Sequence, residues 1–518
     1  MSPGKRSLFH LGLVCIFAVR CLAQEAVVTW HYDNLRTGSN LQETILTPSN
    51  VVWTQFGKLF SYPVDGAIIG QPLYLPSVTI PNKGTHNVIY VATMNDSVYA
   101  FDADNNDGPN AFPLWKTRVL PAGATPVPIS VQGGALTTAW TQVGVVSTPV
   151  IDRTTGILYL VAKDYWNGVV SNRLYGLNVA SGTQRFPAVR IAATFPSGGK
   201  TYTFNNLTQV NRPGLLLNRG ALYVAFGSNG GNGAEQGWVL AYTAVNSSSS
   251  TPKLVGAFND EPGKCCAAIW QKGAGLSADS EGYVYAETGD GPFVPGTNFG
   301  QSVLKLALSS SGLKLADWFT PYNWSYLLSH DLDLNDSVLL LPDQPGPHPY
   351  LALGVGKAGT VYVLDRTDMG HLCSNCTTRD SQIVQELPQS AGPETGALVY
   401  WNETVFSFGS SSPIKAWALN NGLLSTPPVA QSVEVANGHS AVLSANGKTN
   451  GIIWQLQGNS SVATLQAFEA VTLRRIYSAT QSGGRDALPP APHFAQLLEI
   501  HGKVYVGTNS TLAVFGLR

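Results

Sequence analysis

The chain has 518 residues, only 12% of which are charged, and its formal net charge is −1. A nucleic-acid-binding protein needs a basic face, so this charge balance argues against a nucleic acid partner. Glycine (53 residues), proline (32 residues) and aromatic residues (10%) are abundant, which favours many short strands joined by tight turns over helices.

The first 23 residues are predicted to be a signal peptide. Lys5 and Arg6 form a short basic start, and the mostly apolar stretch from Leu8 to Val19 has the length of a signal-peptide core. Small residues follow, and we expect cleavage after Ala23. The stretch is shorter than the ~20 apolar residues of a membrane-spanning helix, and no later stretch is long enough. The sequence therefore predicts a protein without a membrane span that is secreted, or periplasmic in a bacterium.

An N-terminal arm (residues 24–55) precedes a repeat that occupies residues 56–518. Its clearest copy runs from Val88 to Asp102 and reads Val-Ile-Tyr-Val-Ala, a polar turn, then Val-Tyr-Ala-Phe-Asp. The alternation of side chains in its second half is typical of a packed strand. Seven further copies of the first strand begin at Ile157, Ala221, Tyr283, Tyr350, Thr404, Ile452 and Lys503.

Each copy follows an apolar segment, such as Gly214 to Asn218, and each copy except the last precedes another strand-like segment, such as Pro113 to Val119. Four strands per unit make a propeller blade. We therefore predict an all-β fold, a single β-propeller with eight four-stranded blades. Seven blades would follow if one of the less regular copies, at Thr404 or Ile452, is not a full blade.

Both ends of the chain predict how the ring closes. The last copy ends at Leu517 after three strands, and the segment from Phe56 to Val64 has no partner in the first unit. Pairing the two segments completes the last blade and removes an exposed sheet edge, which would promote aggregation. We expect the N-terminal strand to close the propeller in this way.

Several turns resemble the tryptophan-docking repeats of the quinoprotein alcohol dehydrogenase-like superfamily. In this pattern a turn such as that at Ala100 and Asp102 leads to Trp115, and the turn after Ala307 leads to Trp318. The arm sequence from Asp33 to Asn40 is also similar to the family's opening, and more closely to that of a poorly characterised exported branch. The resemblance implies the propeller fold over nearly all of the mature chain.

For an active member, the resemblance implies pyrroloquinoline quinone (PQQ) as cofactor, with Ca²⁺ held by carboxylate and amide oxygens. The dehydrogenases stack a vicinal disulfide on the quinone, so Cys265, Cys266 and the nearby Trp270 are candidate cofactor-binding residues. In the family that pair lies early in the chain, whereas here it lies in the middle. A structural disulfide in a loop is the favoured interpretation.

Four cysteines remain after removal of the signal peptide, and in an exported protein an even number favours disulfides. The simplest pairings are local, Cys265 with Cys266 and Cys373 with Cys376. Nine Asn-x-Ser/Thr sequons would mark glycosylated surface loops if the source is eukaryotic: Asn95, Asn206, Asn246, Asn323, Asn335, Asn375, Asn402, Asn459 and Asn509.

Two polar segments could carry a catalytic or metal site. Asp331 and Asp333 would share one face of a strand, with Lys357 nearby as a cation. A solvated entrance to that strand is the favoured alternative. Asp102, Asp104 and Asn106 superficially resemble a calcium-binding loop, but the residues that follow break the pattern, so a polar turn between strands is favoured.

Three functions remain open. The favoured one is a monomeric, non-catalytic extracellular module that binds a small molecule, glycan, polymer or protein. The first alternative is a PQQ-dependent alcohol or sugar dehydrogenase with a non-standard site in the central channel. The second alternative is a polysaccharide hydrolase or lyase that uses the carboxylates of Asp331 and Asp333.

Overall fold

A computed structural model describes residues 25–134, 140–228, 236–246, 250–436, 440–459 and 462–518. The predicted signal peptide lies outside these residues. They form eight antiparallel sheets that follow one another along the chain as the blades of a β-propeller, which confirms the all-β prediction and the count of eight. No helix in the described part of the chain is long and apolar enough to cross a membrane.

Each blade has an inner, a second, a third and an outer strand. The inner strands, from blade 1 to blade 8, are Leu73–Ile80, Val150–Asp152, Leu216–Asn218, Ser277–Ala278, Leu339–Leu340, Val399–Trp401, Ser440–Asn446 and Leu497–Ile500. The second strands are Gly84–Ala92, Ile157–Trp166, Ala221–Ser228, Val284–Glu287, Leu351–Val355, Thr404–Ser407, Thr449–Asn459 and Lys503–Gly507.

The third strands are Ser97–Asp102, Val169–Asn178, Trp238–Thr243, Val303–Ser309, Val361–Asp365, Ser412–Asn420, Val462–Glu469 and Thr511–Leu517. The outer strands are Trp115–Arg118, Val189–Arg190, Leu254–Asn259, Gly312–Thr320, Gln385–Leu387, Ala430–Ala436, Arg475–Ser478 and Phe56–Pro63.

Short helices, 3₁₀ turns and additional strands lie outside the four-stranded pattern of the blades. The α-helices are Ile129–Gln132 and Trp324–Ser329, and the 3₁₀ turns are Gly108–Ala111, Gln271–Gly273 and Ala479–Ser482. The additional strands are Ser39–Asn40, Thr125–Pro128, Gln142–Val143, Thr194–Ser197, Lys200–Thr203, Gln209–Val210, Phe293–Val294, Asn298–Phe299, His371–Leu372 and Leu423–Leu424.

The ring closes as the two chain ends predict. Phe56–Pro63 pairs antiparallel with Thr511–Leu517, so the N-terminal strand supplies the outer strand of blade 8. One hydrophobic cluster joins each pair of neighbouring blades, and the cluster that contains Tyr62 and Phe101 joins blade 8 to blade 1. Burial of apolar side chains between sheets therefore continues around the whole ring.

The tryptophan-docking pattern has the expected geometry in blade 1. The indole of Trp115 donates a hydrogen bond of 2.9 Å to the carbonyl oxygen of Val179 in blade 2. Gly182 has a φ of 68°, and a Cβ there would lie 2.5 Å from the Trp115 ring. A glycine is required both for this left-handed turn and for the close approach of the indole.

The cysteines form the two local disulfides, Cys265–Cys266 and Cys373–Cys376. Two of the sequons do not lie in surface loops as expected, because Asn206 and Asn335 are buried. The side-chain nitrogen of Asn206, to which a glycan would be attached, donates a 3.1 Å hydrogen bond to the carbonyl oxygen of Ile191, so a glycan would not fit there.

The N-terminal arm lies inside the ring of inner strands. It crosses the blades in their chain order, and Arg36 and Trp30 are buried at its centre. Each blade shares at least one hydrogen bond with it, through the pairs Val27–Tyr74, Val28–Ile151, Asn34–Leu217, Asn34–Ala278, Leu35–Leu340, Thr37–Tyr400, Gly38–Leu443 and Asn40–Glu499.

Candidate functional site

The entry face is the end of the propeller at which the inner strand of each blade begins. Loops that lead into the inner strands lie there, together with the hairpins between second and third strands. Two groups of side chains meet on this face. The arginine–aromatic cluster contains Trp140, Arg212, Trp270 and Phe494, and the acid–lysine cluster contains Asp290, Asp331, Asp333 and Lys357.

Arg212 is the centre of the arginine–aromatic cluster. Its guanidinium carbon lies 5.9 Å from the ring centroid of Trp140, 5.1 Å from that of Trp270 and 4.7 Å from that of Phe494. The residue is 5% exposed, and burial lowers its pKa to about 10, although the charge of Asp333 acts in the opposite direction. Arg212 therefore stays protonated at neutral pH while it is surrounded by rings.

Lys357 is the centre of the acid–lysine cluster. Its ammonium nitrogen lies 2.7 Å from Oδ1 of Asp331 and 2.7 Å from Oδ1 of Asp333. Burial and the charge of Asp333 raise the pKa of Asp290 to about 8. Burial acts to raise the pKa of Asp331 as well, but hydrogen bonds from Lys357 and Asp290 hold it below its usual value. Asp290 thus keeps a proton that it shares with Asp331.

Gly289 is the point at which the two clusters meet. A Cβ on this glycine would lie 2.7 Å from the indole nitrogen of Trp270 and 2.9 Å from Oδ2 of Asp333. Any larger residue would push the indole and the carboxylate apart. The glycine therefore allows an arginine, a tryptophan and an aspartate to converge on one patch of the entry face.

The predicted strand at Asp331 and Asp333 is wrong. Both residues lie in the loop before the inner strand of blade 5, and Asp331 has a left-handed φ of 54°. The favoured alternative, a solvated entrance, is wrong for Asp333, which is 3% exposed, whereas the Asp331 side chain is 77% exposed. The loop still brings both carboxylates to Lys357, because that lysine lies in the neighbouring hairpin.

The carboxylates of Asp290, Asp331 and Asp333 could supply metal ligands, since one oxygen of each lies within 4.8 Å of the others. However, the ammonium of Lys357 already contacts two of these oxygens, and Asp290 is protonated. A divalent cation would have to displace both the ammonium and the proton. The arrangement therefore does not fit a resident Ca²⁺ ion, and it leaves Asp331 and Asp333 paired rather than free for hydrolytic chemistry.

Replacing Lys357 by alanine is expected to create a cation site from this cluster. The change removes the ammonium and leaves three carboxyl groups around one point, which is the donor set that Ca²⁺ prefers. We expect the variant to bind Ca²⁺ at least about tenfold more tightly than the wild type, measured by calorimetry. Equal affinities would show that Lys357 does not occupy the cation position. Lys305→Ala is the control, because it removes a lysine from the third strand of blade 4, outside the acid–lysine cluster.

The predicted cofactor-binding residues lie in one loop. Cys265–Cys266 precedes Trp270, and the backbone amide of Ala267 donates a 2.7 Å hydrogen bond to the buried carboxylate of Glu261. This bond ties the loop down just after the disulfide. Trp270 reaches the entry face and contacts Arg212, so the structure brings one of the three predicted residues into the arginine–aromatic cluster.

Asp102, Asp104 and Asn106 lie at the other end of the propeller, in the turn between the third and outer strands of blade 1. Asp102 contacts the His86 ring at 2.6 Å, and Asp104 contacts Lys503 at 3.1 Å. Asp102 also accepts hydrogen bonds from the backbone amides that follow it. These oxygens are used to build a turn and to join it to neighbouring strands, in agreement with the favoured interpretation.

The sequence did not identify Arg212, Phe494, Trp140 or Asp290. Arg212 and Phe494 belong to loops of blades 3 and 8, and nothing in either local pattern links them. The one available signal was an arginine directly before an apolar inner strand in a chain with few charges.

No protein-family model and no curated protein matches the chain. Its structure is similar to quinohemoprotein alcohol dehydrogenase from Comamonas testosteroni, with 14% identity, a TM-score of 0.59, and coverage of 96% of this chain and 81% of that one. A europium-containing methanol dehydrogenase gives 13% identity, a TM-score of 0.61, and coverage of 95% and 98%. BamB from Moraxella catarrhalis gives 10% identity, a TM-score of 0.52, and coverage of 89% and 99%.

Sequence identities this low show a similar fold but do not show a shared activity, because one fold can support many functions. The similarities agree with the β-propeller fold described above. The chain is an eight-bladed β-propeller that is similar in fold to these two dehydrogenases and to BamB.

Proposed function

We propose that this chain is a secreted binding protein that holds a small anionic ligand at Arg212 on the entry face. The proposal rests on the surroundings of the Arg212 guanidinium. It is buried among three aromatic rings, and the described residues offer it no hydrogen bond or ion pair. The charge of Asp333 acts on this guanidinium, and an anionic ligand would add a direct charge pair in surroundings that are largely desolvated.

The interior of the ring supports a small ligand over a threaded polymer. The N-terminal arm fills the channel, and the turn Gln271–Gly273 crosses above it. Lys272, in that turn, contacts the carbonyl oxygen of Thr395 and the carboxylate of Glu394 on the far side of the channel, both at 3.2 Å. A ligand is thereby confined to the entry face, where Trp270 and Phe494 offer flat surfaces.

Aromatic faces beside a cation suit a planar ring or a sugar ring that carries a carboxylate. This chemistry is shared by acidic sugars and by aromatic polyacids. The proposal therefore narrows the predicted partners from glycan, polymer or protein to a small molecule or the end of an acidic glycan.

Binding of two probes tests this function. PQQ represents a planar aromatic polyacid and galacturonate represents an acidic sugar, and each is titrated into the mature protein by calorimetry. We expect binding of at least one probe, and we expect Arg212→Gln to weaken it about tenfold or more through loss of the buried charge pair.

Arg366→Gln is the matched control, because Arg366 is also buried but lies near the carboxylate of Asp279, away from the entry face. This variant is expected to bind the probe as the wild type does. Failure of both probes to bind, or equal weakening by the two substitutions, would contradict a ligand site at Arg212.

A quinone-dependent dehydrogenase is the second candidate, and the convergence of Arg212, Trp270 and Asp333 favours it. Arg212 could hold a cofactor carboxylate and Trp270 could face its ring, so these residues fit the quinone, whereas the acid–lysine cluster does not fit Ca²⁺. A bound quinone would supply a two-electron acceptor. With its pKa raised to about 8, Asp290 would act as a general base in its ionised form, whose share grows as the pH rises towards that value.

Dye reduction separates the two candidates. Protein incubated with PQQ, with and without Ca²⁺, is assayed with a panel of alcohols and sugars. Turnover that is lost in Asp290→Asn would establish the dehydrogenase, whereas probe binding without turnover would leave a binding protein.

A further inference from the structure

Two buried carboxyl groups meet where the N-terminal arm crosses blade 8. Glu499 is fully buried on the inner strand, and its Oε2 accepts a 2.9 Å hydrogen bond from the amide of Asn40 in the arm. Glu43, also in the arm, accepts hydrogen bonds from the backbone amides of Leu46 and of Gly502, both at 2.8 Å. Oε1 of Glu499 is buried and receives no hydrogen bond from a donor among the described residues, which favours a protonated oxygen there. A hydrogen bond between the two carboxyl groups, which acts on the pKa of each, would need that proton.

No cation in the described part of the chain balances this pair. None of the ion pairs found in the described residues involves Glu43, Glu499 or the third acid nearby, Glu25. The arm otherwise presents the hydroxyl of Tyr32, which donates to the backbone carbonyl of Glu499 at 2.9 Å. The ring of His501, on blade 8, packs against Tyr74 of blade 1. Loss of the proton would therefore leave two buried negative charges facing each other.

We propose that Glu43 and Glu499 form a proton-dependent latch that fastens the N-terminal arm to blade 8. With the shared proton in place, the arm is held in the channel. Without it, repulsion between the two carboxylates loosens the arm from Asn40 to Leu46, while the contacts with blades 1 to 6 remain. The latch thus controls one end of the plug that fills the channel.

The direction of the pH effect follows from the pKa of each acid. Burial, and then the charge of Glu43, raise the pKa of Glu499 well above its usual value. Burial and Glu43 likewise raise the pKa of Glu25 to about 7. A carboxyl group with a raised pKa stabilises the fold below its unfolded pKa, and this contribution is lost as pH rises through the folded value. The arm is therefore held most firmly at mildly acidic pH and loosens towards alkaline pH.

Burial acts to raise the pKa of Glu43, but the hydrogen bond from Glu499 and those from the backbone amides outweigh it and hold the pKa below its usual value. Its contribution is lost only as pH falls through that lower value. The two glutamates therefore affect the stability of the docked arm in separate pH ranges, and a change in stability towards alkaline pH reports on Glu499.

Hydrogen exchange of the arm amides tests the latch. Protection factors, which are corrected for the intrinsic pH dependence of exchange, are measured for the full mature chain from about pH 5 to about pH 9. For the amides of Leu46 and Gly502 we expect a fall of up to about tenfold per pH unit between the ordinary pKa of Glu499 in the open state and its raised pKa in the closed state, because opening in that range releases one proton. In Glu499→Gln we expect no such fall, because the neutral amide can donate to Glu43 at every pH.

Glu287→Gln is the matched control. Glu287 is a fully buried acid of blade 4 that accepts hydrogen bonds from the backbone amides of Val355 and Asp336, and it does not contact the arm. This variant is expected to keep the wild-type pH dependence at Leu46. A flat wild-type profile, or an equal slope in wild type and Glu499→Gln, would overturn the latch. If Glu499→Gln does not fold, Glu43→Gln removes the facing charge from the arm side and must end the fall at a lower pH, because burial then raises the pKa of Glu499 without the charge of Glu43.

Discussion

Replacement of Phe56 by alanine is expected to destabilise the propeller by about 3–5 kcal/mol, the usual cost of deleting a large buried aromatic side chain. Phe56 begins the closing strand, and its ring centroid lies 4.9 Å from that of Tyr477, 5.3 Å from that of Trp454 and 6.4 Å from that of Phe515. These rings belong to blades 7 and 8. Phe56 therefore fixes the N-terminal strand to two blades at once, and its loss would weaken closure of the ring.

Urea unfolding followed by tryptophan fluorescence measures this effect. Ser61→Ala is the control, because Ser61 lies on the same strand with its side chain exposed, and we expect a change within about 0.5 kcal/mol. An equally small effect of Phe56→Ala would mean that the closing strand contributes little to stability. The native ring would then depend on the other seven blades and the arm.

The propeller could be predicted from sequence because its signal is local and repeated. The alternation from Val88 to Asp102 describes two strands of one blade, and the same pattern returns in every blade. The copies at Thr404 and Ile452 are less regular, yet both form full blades. The second strand of blade 6 is only four residues long, Thr404–Ser407, and so shows little alternation.

The candidate site could not be predicted in the same way. Arg212 and Phe494 come from loops of blades 3 and 8, and only closure of the ring brings them together. Asp331 and Asp333 were identified as a pair, but from a strand periodicity that the loop does not have. Their convergence on Lys357 depends instead on the left-handed backbone at Asp331, and sequence spacing does not reveal that conformation.

The path of the N-terminal arm also could not be predicted from the sequence. The segment from Asp33 to Asn40 is similar to the opening of a known family, but it has no regular alternation, since successive parts of it meet different blades. The bonds that hold it are long-range and mostly involve single backbone groups. No residue pattern in the segment indicates that Arg36 is buried inside the ring.

Replacement of Arg36 by alanine is expected to cost about 3–5 kcal/mol, because hydrogen bonds from a charged group contribute about 1.5–3 kcal/mol each and are not fully additive. The Arg36 guanidinium donates to the carbonyl oxygens of Leu276 at 2.7 Å, Trp30 at 2.7 Å and Asp33 at 3.0 Å. Burial lowers its pKa to about 9, opposed by the charge of Asp33, so Arg36 is charged at neutral pH. Its removal would leave buried carbonyl groups without donors in the middle of the channel.

Thermal unfolding and hydrogen exchange together separate the effect of Arg36→Ala on the whole propeller from its effect on the arm. Arg36 joins the arm to blade 4 through Leu276, so we expect faster exchange along the arm in addition to a lower Tm. Arg219→Ala removes an exposed arginine near blade 4 and should change neither measurement appreciably. Unchanged exchange of the arm in Arg36→Ala would show that the eight single contacts hold it without this side chain. Faster exchange in the arm while the blades stay protected would instead show that the arm can leave the channel of an intact propeller.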